Sequence, residues 1–89
     1  MKHAGPAAFD RLDQLLALLR RRADLAEKRP GVFYRRGRAF LHFHEDPLGL
    51  FADIRAGELW ERLPVNDADE HARLIEAVDR AFAEVAPRT

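Results

Sequence analysis

Two histidines one residue apart stand beside two carboxylates in the run His42-Phe43-His44-Glu45-Asp46. Side chains alternate along an extended strand, so both imidazoles fall on one face. A hairpin return places Asp53 one residue pair from them, and two imidazoles with a carboxylate are a ligand set for a divalent transition metal. The same groups are also the parts of a His–Asp acid/base pair. The plain alternative is a half-exposed strand carrying polar side chains, with Glu45 and Asp46 starting a turn. No spacing specifies a further ligand or a supporting shell, so the sequence by itself assigns neither metal nor cofactor. His71 reads as a solvated helix residue, and His3 as part of a mobile terminus over residues 1–5.

Nucleophilic catalysis has little to draw on. The chain has no cysteine and no serine, Thr89 is its single aliphatic alcohol, and Tyr34 supplies its one phenol. Thiol and serine mechanisms and cysteine-based zinc sites are excluded together. Gly31, Gly37, Gly49 and Gly57 punctuate turns rather than form a phosphate loop after a strand. The residues therefore favour a domain that is not an enzyme. Two arginine tracts, Arg20-Arg21-Arg22 and Arg35-Arg36-x-Arg38, are suited to phosphates, although the first sits at a helix end where positive charge also complements the helix dipole.

Charge is balanced in total, with 15 Lys+Arg and 15 Asp+Glu, but not along the chain. Residues 1–38 carry ten bases against four acids, a net of +6, and residues 39–89 carry five against eleven, a net of −6. Such a split marks a basic partner-binding half, or two halves whose charges pair on folding. Zero net charge favours the second, because nucleic-acid-binding domains usually carry an excess of base. At 89 residues, 47% hydrophobic and 34% charged, the chain is a globular single domain over residues 1–89, with residues 87–89 a tail. Its apolar runs fall far short of the ~20 residues of a membrane helix. The opening residues lack a signal-peptide core, and with no cysteine a cytoplasmic setting is expected.

These side chains need elements to hold them. Proline suits the first helical position, so a helix is expected from Pro6, with Phe9, Leu12, Leu16, Leu19, Ala23 and Ala26 on one face and Arg29-Pro30-Gly31 as its end. A last helix starts at Asn66 or Asp67, with Asp69 and Glu70 at its positive end. It buries Leu74, Ile75, Val78, Ala81, Phe82 and Val85, and Pro87 stops it. Between the helices the period falls to two. A turn at Arg36-Gly37 pairs Arg35 with Arg38, Tyr34 with Ala39, Phe33 with Phe40 and Val32 with Leu41. Pairing His44 with Gly49 sets His42 against Phe51 and Leu41 against Ala52. A turn at Ala56-Gly57 sets Glu58 against Arg55. The fold class is α+β: an N-terminal helix, a three- to four-stranded antiparallel β-meander and a C-terminal helix, with both helices packed on one sheet face.

One face then holds Val32, Tyr34, Ala39, Leu41, Phe43, Leu50, Ala52, Ile54 and Leu59, and a slip of one residue would destroy that segregation. Glu61 would point inward, so a bulge or an early end is expected before Pro64. The other face carries Phe33, Arg35, Arg38, Phe40, His42, His44, Phe51, Asp53, Arg55 and Trp60, with Glu58 at its margin. A monomer rarely leaves such a patch open, so association with a second copy, as a homodimer, or with a protein partner is the first reading. Nucleic acid stacked on the rings, with phosphates on the arginines, is the second. A small ligand or a metal at His42, His44 and Asp53 is the third.

The stretch from Val32 to Arg55, with Phe33-x-x-x-Gly37-x-Ala39-Phe40 followed by a hairpin return, resembles the central sheet of the small bacterial MmcQ/YjbR-like proteins. The resemblance covers about a quarter of the chain and rests on a glycine turn before an aromatic. It implies an α+β fold and the DNA-binding role with which that family is often labelled.

Overall fold

The computed structural model describes residues 2–83, so Val85, Pro87 and the tail lie outside the described residues. The elements run β1 (Lys2–His3), α1 (Pro6–Arg11), α2 (Asp13–Arg20), β2 (Leu25–Arg29), β3 (Val32–Arg35), β4 (Arg38–Asp46), β5 (Gly49–Ala56), β6 (Leu59–Pro64) and α3 (Ala68–Ala83). All strand pairs are antiparallel, in the order β2-β3-β4-β5-β6, and β1 joins β4 through Lys2↔Glu45 and His3↔His44. The arrangement is α+β, with a six-stranded sheet and three helices. Among the described residues no helix is long and apolar enough to cross a membrane.

The first helical region is shorter than its apolar spacing suggests. It breaks at Leu12 and ends at Arg20, and Ala23 and Ala26 are exposed beyond it. Leu25–Arg29 is instead a strand, and Pro30-Gly31 turns it into β3. Glu27 ties this region together: it accepts from Arg20 Nε at 2.6 Å and Nη2 at 3.0 Å, and from the Gly31 backbone N–H at 2.9 Å. Gly31 has φ +73, and a Cβ there would meet the Phe9 ring at 2.8 Å, so the turn needs glycine. His3 of β1 pairs with His44 of β4.

One core gathers Leu12, Leu15, Leu16 and Leu19 from α2 and its entry, Phe33, Leu41, Phe43, Leu50, Ala52 and Ile54 from the sheet, and Leu74, Ala77 and Val78 from α3. Both helical regions therefore serve the same sheet face. The start of α3 matches its sequence signals, because Asp67 Oδ1 accepts the Glu70 N–H at 2.9 Å. Asn66 goes elsewhere: its Oδ1 accepts the Leu50 N–H at 2.8 Å, joining α3 to β5.

Strand register departs from expectation in a patterned way. The second hairpin is displaced by two residues, giving His42↔Asp53, Phe43↔Ala52 and Leu41↔Ile54, so parity survives. The third is displaced likewise, with Arg55↔Trp60 and Ala56↔Leu59. The first hairpin keeps Arg35↔Arg38 and Tyr34↔Ala39, then shifts at Phe40 to Phe33↔Leu41 and Val32↔His42. That bulge inverts the expected faces of Phe33, Val32 and Phe40. Val32, Tyr34, Ala39 and Leu59 fall outside the core cluster, and Leu59 is 76% exposed. No bulge forms at Glu61, which pairs with Ile54 in a regular edge strand and stays exposed.

Candidate functional site

Strands β4, β5 and β6 hold the polar cluster on the face away from the core. His42 and His44 alternate with buried Leu41 and Phe43, and Asp53 lies between buried Ala52 and Ile54. Apolar burial on one side thus fixes the direction of the ligand-bearing side chains on the other. His42 Nδ1 lies 2.9 Å from His44 Nε2, and His44 Nε2 lies 3.0 Å from Asp53 Oδ2. One ligand atom from each of the three residues falls within 4.8 Å of the other two. The His44 and Asp53 side chains are only 14% and 12% exposed. Two nitrogens and an oxygen converge in a half-buried position.

Neighbours set their electrostatics. Arg62 donates Nε to Asp53 Oδ1 at 2.7 Å and Nη2 to Oδ2 at 2.9 Å, which holds the carboxyl below its ordinary range against the opposing effect of burial. Burial, reinforced by repulsion from His44, lowers the affinity of His42 for a proton. Both directions favour the forms that ligate metal: neutral imidazole and carboxylate. The rings are also packed. His42 lies 4.8 Å from Trp60 and edge-on to His44 at 4.9 Å, and the His3 ring stacks on His44 at 5.6 Å. His71 is not part of this cluster; its Nε2 lies 2.9 Å from the Val65 carbonyl.

The ten residues expected on this face do not stay together. His42, His44, Phe51, Asp53, Arg55 and Trp60 do: His44 pairs with Phe51, His42 with Asp53 and Arg55 with Trp60. Phe33 and Phe40 are buried in the core, packed edge-on to Phe43 and 5.8 Å from Phe82. Arg35 turns toward α3, where its Nη1 donates to the Ala81 carbonyl at 3.3 Å and its guanidinium lies 4.3 Å from the centre of the Phe82 ring. Arg38 is exposed and 3.5 Å from Glu58. The bulge at Phe40 accounts for these departures. Arg62 and His3 were missed, although Arg62 follows Trp60 by two residues and so shares its face in a regular strand.

No protein-family model matches the chain, and neither does any curated protein or solved structure among those compared. The resemblance to the MmcQ/YjbR-like proteins therefore rests on the residues quoted above.

Proposed function

We propose that this chain is a small domain that binds a divalent transition metal ion through His42 Nδ1, His44 Nε2 and Asp53 Oδ2. The observation that carries the reading is the convergence of one ligand atom from each residue within 4.8 Å. Two imidazoles and one carboxylate leave coordination positions open, to be completed by water or by a ligand. Arg62 would orient the carboxylate from behind, and Trp60 would shield the His42 side of the ion. The arrangement needs no nucleophilic alcohol or thiol. The test is titration of Zn2+ and Co2+ into the metal-free protein near neutral pH. The expected result is one ion per chain and a raised melting temperature, both lost in His44→Ala and retained in His71→Ala. Absence of stoichiometric binding, or equal loss in the two variants, would overturn the reading.

A second reading, association through the same face, is supported by an apolar margin. Trp60 is 41% exposed, beside partly exposed Phe51. Its aromatic area is smaller than the ten-residue face would supply, because Phe33 and Phe40 belong to the core.

A further inference from the structure

At the turn end of the sheet, four guanidiniums surround one cleft. Arg35 and Arg36 come from the end of β3 and its turn, Arg38 from the start of β4 and Arg55 from the end of β5; the Phe40 ring and Ala81 of α3 complete the wall. The cleft encloses about 230 Å³. Among the described residues, Arg35, Arg36 and Arg55 have no carboxylate in ion-pair contact, and the Arg38–Glu58 pair spans 3.5 Å between side chains 58% and 83% exposed. Like charges gathered around one cleft repel one another, and an anion among them would offset that repulsion.

Two of the four are held in place by contacts that bring no carboxylate to their charge among the described residues. Arg55 donates Nε to the Ala39 carbonyl at 2.8 Å and lies 4.6 Å from the centre of the Trp60 ring. Arg35 donates Nη1 to Ala81 and packs against Phe82 and Phe40, while its buried Nε has no hydrogen-bond partner among the described residues. A buried donor without an acceptor is costly, and an incoming oxygen would satisfy it.

We infer that this cleft binds a small phosphate-bearing molecule. Guanidinium forks match the oxygens of a phosphate, and several forks suit a group with more than one negative charge. The bulge that removes Arg35 and Phe40 from the polar face is the feature that brings them here.

The experiment is calorimetric titration of pyrophosphate into the full chain at low ionic strength, with circular dichroism to check folding. Arg38→Glu is one variant. Arg36→Asn is a second, chosen because Arg36 has φ 54, a conformation asparagine tolerates. Arg11→Ala, on the exposed side of α1, is the control. Saturable one-to-one binding is expected, weakened at least about tenfold by each of the first two changes and unaltered by the control. No saturable binding, or equal weakening by Arg11→Ala, would overturn the inference. So would a single-stranded oligonucleotide that binds the same arginines far more tightly than pyrophosphate, since that outcome assigns the cleft to nucleic acid.

Discussion

Glu27 ties the end of α2 to the turn between β2 and β3. Its carboxylate accepts from Arg20 and from the Gly31 backbone, and the Arg20 bond above all holds its proton affinity below the ordinary value. A carboxyl lowered in the fold is ionised there while the unfolded chain still takes up protons. Its contribution to stability is therefore complete above the ordinary glutamate value, about 4.3, and is lost as pH falls through the lower folded value. Acid melting curves should show this. Glu27→Gln should lower stability by about 1 kcal/mol at neutral pH and flatten the acid limb, whereas an unchanged acid limb would refute the assignment. Among site residues, His42, His44 and Asp53 were readable from parity alone. Arg62 was hidden because Glu61 suggested an irregular strand, and Phe33, Phe40 and Arg35 were misplaced because an unpaired residue leaves no mark in a pattern of period two.

At the scale of elements, the strength of local signals decided what could be read. The signals at the start of α3 are redundant: Asp67 accepts an N–H, Asp69 and Glu70 lie in its first turn, and Leu74, Ala77 and Val78 are buried. Asp67→Ala should cost about 1 kcal/mol, measurable as a shift in the denaturant midpoint without a change in slope. The N-terminal region carries conflicting signals. Ala23 and Ala26 extend a helical spacing, but the chain gains more by hydrogen-bonding Leu25–Arg29 to β3 than by prolonging a helix whose next positions carry only alanine methyls. The hairpins of β4, β5 and β6 kept their faces despite two-residue displacements, because burial selects parity while turn geometry sets register.

For the whole molecule, the open question at the polar face is its occupant in solution, and sedimentation provides the measurement. If the face associates, Trp60→Asp should convert the protein to a folded monomer. A wild type already monomeric, or a mass unaltered by the substitution, would leave the metal reading to stand without a partner. Phe40→Asp is not a useful probe, since Phe40 sits in the core and its replacement should unfold the chain. The bulge at Phe40 also sorts the molecule into two compartments. His42 lies four residues beyond Arg38, about 13 Å along the strand, and the imidazoles face away from the core while the arginine cleft opens beside the end of α3. One contact path joins them: Arg55 lines the cleft and lies 4.6 Å from the Trp60 ring, which in turn lies 4.8 Å from His42. Occupancy at one pole should therefore be felt at its neighbour through that shared ring, and a double variant should depart from the plain sum of its two defects.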